Sequence, residues 1–392
     1  MTVGTPRRTL GELFHFKNGR GFKKTEWGTN GLPIIRIQNL NDEKAEFNYY
    51  KGSYEKDILV QKGDLLFSWS GTVGSSFGPH IWSRQDGLLN QHIFKIGFKT
   101  DIDSRYAYFA LEFITEEIER SVNGSVGLVH ITKEKLNQFT IPVPGMMKQQ
   151  RIVSILDEAF EGIATAKANA EKNLQNAREV FKSHLQSALT QKRSGWKEKS
   201  LDSIATFSSG GTPSKQNASY WNGPIPWVSG RDMKTDRIGD TVLHISRAAV
   251  EASATRIAPI GSLLILVRGM GLANGVAIAE LVAPCAFNQD IKGIRANPGI
   301  DPRFLLFSLR TKLSESDQIL SNAAHGTLKI DMEVLQSITL LIPSLEIQRE
   351  AVKQIDEIQE ETKHLESIYR EKLSSLDELK QSLLNRAFNG DL

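Results

Sequence analysis

Short apolar runs and longer amphipathic stretches alternate along this 392-residue chain. Apolar runs bounded by glycine, at residues 31–37 (GLPIIRI), 63–69 (GDLLFSW) and 261–267 (GSLLILV), are typical of short buried strands. Residues 106–122 and 304–320 instead repeat their apolar positions with helical spacing. Stretches rich in Gly, Asn and Ser between these elements indicate loops. The pattern predicts a mixed α/β fold.

The same succession of segments occurs twice, with the second copy displaced by 191 to 199 residues. An offset held over half the chain predicts two copies of one domain rather than a many-repeat array. We expect the copies to span residues 1–147 and 196–345, each ending at a proline-containing strand. The matching segments are residues 10–19 with 201–210, 90–93 with 288–291, 127–144 with 326–343, and the Gln-Arg dipeptides at 150–151 and 348–349.

A long helical stretch follows each copy, at residues 148–195 and 346–392. Both stretches carry apolar residues at heptad positions a and d, with Leu156 and Ile355 in the two a rows. An isolated surface helix is the alternative, although ordinary helices average nearer ~12 residues. Near-equal lengths and net charges of +4 (148–199) and −4 (346–392) favour pairing. We therefore expect an antiparallel coiled coil that separates the two domains with approximate two-fold symmetry.

The small net charge of +3 says little about where the protein acts, but the composition is more informative. The longest aliphatic run, Leu263 to Val267, is far shorter than the ~20 residues of a membrane helix. The first ten residues lack the apolar core of a signal peptide. The one cysteine, Cys285, excludes an internal disulfide and a cysteine-based zinc site. We expect a cytoplasmic protein.

Motifs of common catalytic sites are absent from the sequence. It contains no Gly-Lys dipeptide of a P-loop, no HExxH, no Gly-x-Ser-x-Gly and no Asn/Asp-Pro-Pro-aromatic tetrapeptide of amino-methyltransferases. Residues 268–275 (RGMGLANG) follow a predicted strand, but their glycine spacing differs from that of a dinucleotide loop. A tight turn is the better interpretation there. The sequence predicts no catalytic residue and no metal ligand.

Polar loops with basic and aromatic side chains are the remaining candidates for function. Residues 17–27 and the matching loop 210–221 combine lysines with planar side chains, which suit phosphate contacts and stacking, although an ordinary solvated loop is the alternative. Arg36, Gln38 and Asn39 leave one predicted strand together and are types that make bidentate base contacts. The candidate nucleic-acid contacts are Lys17, Arg20, Lys23, Lys24, Arg36, Gln38, Asn39, Trp69, Lys215, Tyr220, Trp221, Arg231, Arg268, His325 and Lys329.

The order and duplication of several segments carry a family resemblance. In the first half they are LGELFHFKNG, PIIRIQNL, GDLLFSWSG and IPVPGMMKQQRIVSILDEAF. In the second half they are LDSIATFSSGGTPS, PWVSGRDM and LLIPSLEIQREAVKQIDEI. In this arrangement the chain resembles, over essentially its whole length, the specificity subunit of Type I restriction–modification systems. Recognition domains vary too much for base-contacting residues to be transferred by motif.

The resemblance implies that each globular domain is a target-recognition domain that reads one half of a split, asymmetric double-stranded DNA site, with the helices setting the gap. It implies a non-catalytic chain that binds no cofactor itself. Two methyltransferase subunits and restriction–translocation subunits would join it, and S-adenosylmethionine, ATP and magnesium would bind to those partners. Apolar residues beside the first heptad seam are predicted partner contacts, because two helices alone would leave them exposed. These residues are Phe160, Leu174 and Phe181.

Two other interpretations remain open from the sequence. The chain could serve a Type IIB-like or stand-alone methylation system. It could also be an enzyme fragment whose site has no recognisable motif. A neighbouring methyltransferase reading frame would favour the specificity subunit over the enzyme fragment.

Overall fold

Two compact units make up the chain in the computed structural model, which describes residues 5–71, 76–122, 129–314, 319–322 and 327–392. Unit 1 contains Met1–Glu171 and Arg370–Leu392, and unit 2 contains Lys172–Tyr369. Each unit therefore combines one globular domain with a part of each long helix.

Short strands and one longer helix form the globular domain of unit 1. The strands are β1 (Arg7–Thr9), β2 (Phe14–Asn18), β3 (Leu32–Ile35), β4 (Asn48–Tyr50), β5 (Leu59–Val60), β6 (Leu65–Ser68), β7 (Ser70–Gly71), β8 (Gly78–Ile81), β9 (Gly87–Leu89), β10 (Ile93–Phe98), β11 (Val129–His130) and β12 (Thr140–Pro142). The helices are α1 (Leu10–Leu13), α2 (Ile37–Asn41), α3 (Ser104–Val122) and α4 (Lys133–Leu136). One four-stranded sheet has the order β4-β3-β9-β5 and another the order β2-β10-β6-β8.

The first long helix, α5 (Met146–Thr190), precedes the globular domain of unit 2. The strands of unit 2 are β13 (Lys197–Ser200), β14 (Ala205–Ser209), β15 (Ile225–Val228), β16 (Arg237–Ile238), β17 (His244–Ile245), β18 (Ile257–Ala258), β19 (Leu263–Leu266), β20 (Ile278–Leu281), β21 (Cys285–Phe287), β22 (Ile291–Ala296), β23 (Leu320–Asn322), β24 (Leu328–Ile330) and β25 (Thr339–Ile342). Its helices are α6 (Leu201–Ile204), α7 (Arg247–Glu251), α8 (Pro302–Ser314) and α9 (Met332–Ser337), followed by the second long helix α10 (Leu345–Asn389).

The sheets of unit 2 repeat those of unit 1. The order β17-β15-β21-β18 corresponds to β4-β3-β9-β5, and β14-β22-β19-β20 corresponds to β2-β10-β6-β8, with β16 added at its edge. In both units the central pair of the first sheet is parallel (β3 with β9, β15 with β21). The mixed α/β fold and the internal duplication predicted from the sequence are confirmed.

The predicted elements lie close to the observed ones, with one clear difference. Strands β3, β6 and β19 fall inside the three glycine-bounded runs, and α3 covers the first predicted helix. The second predicted helix, 304–320, was too long: α8 ends at Ser314, and Leu320 begins strand β23. The long helices end at Thr190 and Asn389, before the expected 195 and 392. Gly195 and Gly390, shortly after these ends, have positive φ angles of 83° and 95°.

A buried glutamine joins each long helix to its domain. Gln149 Oε1 accepts from the Asp103 N–H (2.9 Å) and its Nε2 donates to the Pro144 carbonyl (2.8 Å). Gln348 makes the equivalent bonds to Asp301 and Pro343 (2.8 and 2.9 Å). Gln149 therefore corresponds to Gln348. The sequence alignment of the Gln-Arg dipeptides, which paired Gln150 with Gln348, was wrong by one residue.

The two long helices are antiparallel within each unit, but the predicted a/d seam is only half right. Each a row is turned inward: Leu156 and Ile355 are fully buried. The d row lies largely on the surface, where Val180 is 64% exposed, Leu365 41% and Leu379 46%. The residue four positions after each a residue is covered instead.

This shift of the seam corrects the reason for predicting Phe160, Leu174 and Phe181 as partner contacts. All three lie in the covered row and are only partly exposed. Phe160 packs on the core of unit 1, with its ring 5.4 Å from that of Phe109, and Phe181 packs on the core of unit 2. The globular domains thus cover two of the three residues, Phe160 and Phe181, that two isolated helices would leave exposed.

We expect Gln348→Ala to lower the free energy of unfolding of unit 2 by about 1–3 kcal/mol, because it leaves buried backbone groups of Asp301 and Pro343 without partners. Urea unfolding followed by the fluorescence of the unit 2 tryptophans measures this. Gln354→Ala is the matched control, since Gln354 is exposed on the same helix and its side chain bonds to the exposed Glu350. Equal stability of the two variants would contradict the anchoring role of Gln348.

Candidate nucleic-acid interface

An equivalent tight corner follows the central strand of the first sheet in each unit. In unit 1 the corner comprises residues 36–39 (corner 1), and the Arg36 N–H donates to Asn39 Oδ1 (3.0 Å). In unit 2 it comprises residues 229–232 (corner 2), and the Ser229 N–H donates to Asp232 Oδ2 (2.9 Å).

Each corner is also tied to the neighbouring strand by the same backbone bond. The Asn90 N–H donates to the Ile35 carbonyl, and the Asn288 N–H donates to the Val228 carbonyl, both at 3.0 Å. These asparagines begin the Asn-Gln-x-Ile segments matched in the sequence. The recurring segment thus has a structural role, which fixes where each corner begins.

The third residue of each corner, Gln38 or Arg231, is exposed. Neither side chain makes a hydrogen bond or an ion pair to any part of the chain that the structure describes. Two of the predicted contacts therefore occupy the same scaffold position, with a different side chain in each unit. Arg36, by contrast, donates to Asn48 Oδ1 (3.2 Å) and lies over the Trp27 ring at 5.0 Å.

The predicted base contact of Asn39 is corrected by its burial. Only 3% of Asn39 is exposed. Its Oδ1 accepts from Arg36, and its Nδ2 donates to the carbonyls of Ala45 and Glu46, both at 3.2 Å. No face of the amide is left for a base, so Asn39 holds corner 1 in shape.

Corner 1 borders a small cavity of about 170 Å³ lined by Arg36, Gln38, Asn90 and His92, among others. Trp69 lies next to the same histidine, with ring centroids 5.3 Å apart, and stacks on Phe94 (5.6 Å). Its indole N–H donates to Asn18 Oδ1 (3.1 Å). Trp69 is half-buried, so it supports this surface and keeps part of its side chain accessible.

Sequence reasoning missed the histidines of this cluster. The ring centroid of His130 lies 4.5 Å from that of Trp69, although His130 is far from both Trp69 and His92 in the sequence. Isolated histidines carry no spacing signal, and only the pairing of β7 with β11 brings His130 to Trp69.

Among the described residues, the positions of unit 2 equivalent to Trp69, His92 and His130 hold no aromatic side chain. Val267 takes the place of Trp69, because its N–H donates to the Asp290 carbonyl (2.8 Å) as that of Trp69 does to the His92 carbonyl (3.2 Å). Lys329 takes the place of His130 and pairs with Asp331 (2.6 Å). Arg268 is exposed beside Lys329, with which it forms an isolated β-bridge. His325 lies outside the described residues.

The predicted phosphate contacts of the loop at residues 17–27 differ in how accessible their charges are. Lys17 pairs with Asp57 (2.5 Å) and Glu55 (3.3 Å), and the hydrogen bond to Asp57 raises the pKa of Lys17. Arg20 bonds to Tyr50 (2.8 Å) and pairs with Glu26. Lys23 and Lys24 are exposed.

The matching loop of unit 2 holds its aromatic residues against the domain. Trp221 donates from its indole N–H to the Ser214 carbonyl (3.0 Å) and contacts the Trp227 ring edge-to-face at 5.0 Å. Tyr220 packs on the small apolar cluster that contains Trp227 and Ile245. Lys215 is exposed. The structure thus leaves a lysine accessible in each loop and uses the aromatic side chains mainly for packing.

A charged cluster of unit 2 connects the segment after corner 2 to α10. Asp236 accepts from Arg310 Nη1 (2.8 Å) and from Gln359 Nε2 (2.7 Å). Arg303, only 8% exposed, bonds to Asp356 at 2.9 Å. Burial acts to raise the pKa of Asp236, but Arg310, Gln359 and Arg303 outweigh it and hold the pKa below its ordinary value of 3.8.

Comparison with protein-family models identifies the class of protein. The Type I restriction modification DNA specificity domain matches residues 4–175 and 193–373. The chain belongs to this family, and it carries the domain twice.

None of the helices in the described residues combines the length and the apolar character that a membrane span requires.

Individual relatives agree with this assignment. The chain is 26% identical over 258 residues to the Type I restriction enzyme EcoR124I/EcoR124II specificity subunit of Escherichia coli, covering 64% of this chain and 62% of that subunit, so the match spans less than two thirds of its length. It is 22% identical over 428 residues to the EcoBI specificity subunit of the same organism, covering 98% and 86%.

Solved structures show the same fold. The HsdS subunit of Thermoanaerobacter tengcongensis aligns with a TM-score of 0.57 at 17% identity, covering 100% of this chain and 98% of that one. A chain from a structure of the assembly and conformational transition of a type I R-M system aligns with a TM-score of 0.77 at 18% identity, covering 100% and 99%.

Substitutions at adjacent corner residues should separate structure from recognition. We expect Asn39→Ala to lower the free energy of unfolding by about 1–3 kcal/mol, because it removes the buried amide that bonds to the Arg36 N–H and to the carbonyls of Ala45 and Glu46. Gln38→Ala, which removes no side-chain hydrogen bond to the described residues, should leave stability within about 0.5 kcal/mol of wild type. Urea unfolding of both variants checks this, and equal losses would contradict the assigned roles.

The Asp236 cluster should make stability depend on pH. Asp236→Asn should destabilise unit 2 by about 1–3 kcal/mol at pH 7, because the charged acceptor of Arg310 is lost. The contribution of the wild-type carboxylate is present above the unfolded pKa of about 3.9 and is lost as the pH falls through the lower folded pKa. The difference from wild type should therefore shrink below about pH 4. Asp202→Asn, on an exposed side chain, is the control.

Proposed function

We propose that this chain is the DNA-reading subunit of a Type I restriction–modification system, in which each unit recognises one half of a split, asymmetric double-stranded site. The observation that carries the proposal is the pair of equivalent corners, where one scaffold presents Gln38 in unit 1 and Arg231 in unit 2. Side chains that recognise bases by bidentate hydrogen bonds thus occupy the same rigid position with different chemistry.

Lysines on nearby loops fit the same function. Lys23, Lys24 and Lys215 are exposed in matching loops, and exposed cations supply the sequence-independent contacts to phosphate that position a protein on DNA. The division is the one expected of a DNA reader, in which phosphate contacts hold the register and a few groups read base edges.

The chain itself carries out no catalytic step in this proposal. Two methyltransferase subunits, and restriction–translocation subunits where the system has them, would supply catalysis and would bind S-adenosylmethionine, ATP and magnesium. The assembly would act in the cytoplasm. Purified chain supplied with those cofactors should show no methyl transfer, cleavage or ATP hydrolysis.

Exchange of one domain tests the assignment of half-sites. A chain in which residues 1–147 come from another family member, co-purified with its methyltransferase, should methylate a site with one half-sequence changed and the other half and the gap retained. Sequencing of methylated adenines in the host genome reads this directly. A change in both halves would contradict the division of labour between the units.

The surface for the methyltransferase is proposed on the exposed d row of the long helices. Leu379 in unit 1, and Val180 and Leu365 in unit 2, are large apolar side chains left on the surface. Apolar side chains in such rows suit contact with partner helices.

Leu365→Glu and Leu379→Glu should each weaken assembly with the methyltransferase at least tenfold, because a charge would be buried at the interface. Mass measurement of the co-purified complex over a dilution series checks this. Ser375→Glu, on an exposed residue of α10, is the control for added charge. Full assembly of both leucine variants would exclude this surface.

A further inference from the structure

We propose that Gln38 and Arg231 are equivalent specificity-determining residues, with Gln38 reading an adenine in the half-site of unit 1 and Arg231 reading a guanine in the half-site of unit 2. The inference rests on the proposed function and assigns a base to one residue of each domain. It rests on the structural equivalence of the two positions rather than on any base-reading motif.

The backbone at both positions is held in place before any ligand binds. Each corner starts at the end of a central strand that is paired with a parallel neighbour. It is then closed by the side chain of its fourth residue and tied by an asparagine N–H. A side chain projecting from such a corner loses little backbone freedom on binding, so its hydrogen bonds translate into discrimination.

The other polar side chains of the corners each have a hydrogen-bond partner within the chain. Asn39 and Asp232 close the turns, and Arg36 bonds to Asn48. Gln38 and Arg231 are exposed and make no polar side-chain contact with the described parts of the chain. An amide or guanidinium left in this state can give all of its hydrogen bonds to a ligand.

The two side chains differ in the base that they match. A glutamine amide offers one donor and one acceptor, which suit the N7 and N6 edge of adenine. An arginine offers two donors, which suit the N7 and O6 edge of guanine. Both patterns lie in the major groove, where each base pair has a distinct donor and acceptor pattern. The same position therefore predicts different bases for the two half-sites.

The test uses the full chain co-purified with its methyltransferase and a library of randomised double-stranded DNA. Bound DNA is sequenced for wild type, Gln38→Arg and Arg231→Gln. Gln38→Arg should change one base pair of one half-site so that guanine replaces adenine, and should weaken binding to the wild-type site roughly 5- to 150-fold. Arg231→Gln should produce the converse change in the other half-site.

Matched substitutions separate base reading from added or lost charge. Gln85→Arg and Arg256→Gln make the same chemical changes at exposed residues of the same units outside the corners. Both should leave the enriched sequence unchanged. Gln38→Ala and Arg231→Ala should relax the preference at the same single positions without selecting a new base.

The possible results distinguish failure of the base assignment from failure of the proposed function. An enriched wild-type site that Gln38→Arg and Arg231→Gln leave unchanged overturns the assignment but not the proposed function. Uniform weakening on all sequences, as loss of a phosphate contact would give, also overturns it. If the wild-type complex enriches no sequence, the proposed function fails and the assignment fails with it.

Discussion

The hydrogen bonds of two buried glutamines hold each domain to its long helix, and the placement of the other elements depends on them. Gln149 and Gln348 each join the end of the last domain strand to the start of the domain's main helix. A buried amide with unmatched groups would be costly, so both ends of the contact must be in place. Two ion pairs make the same connection between domain helix and long helix. Arg105 of α3 pairs with Asp157 of α5, and Arg303 of α8 pairs with Asp356 of α10.

Conserved geometry and variable surface chemistry are separated within this scaffold. The backbone bonds that pin the corners recur atom for atom in the two units, as do the positive-φ glycines Gly63 and Gly261 before the equivalent strands β6 and β19. The side chains around the corners do not recur: the half-buried Trp69 corresponds to the buried Val267, and the exposed Gln38 corresponds to the exposed Arg231. A domain built in this way can change what it contacts without changing how it folds.

Much of the fold could be predicted from the sequence because strands, helices and the duplication leave periodic signals. The seam of the long helices could not, since heptad letters show which rows are apolar and not which rows a domain covers. Phe160 and Phe181 were placed outside the seam for this reason. Asn39 and Gln38 are adjacent amides with equal chemistry on paper, and only burial shows that one closes a turn and the other faces solvent.

The composition of unit 1 has a consequence for synthesis on the ribosome. Its core takes Leu384, Ala387 and Phe388 from the far end of α10, and Phe388 packs between Tyr106 and Phe113. Unit 2 is formed from one continuous stretch of chain. During synthesis, unit 2 can therefore complete its core before unit 1 does. The globular domain of unit 1 is made earlier, but Tyr106 and Phe113 stay uncovered until Phe388 has been made. Nascent unit 1 is therefore the part of the chain whose exposed apolar surface would call for a chaperone.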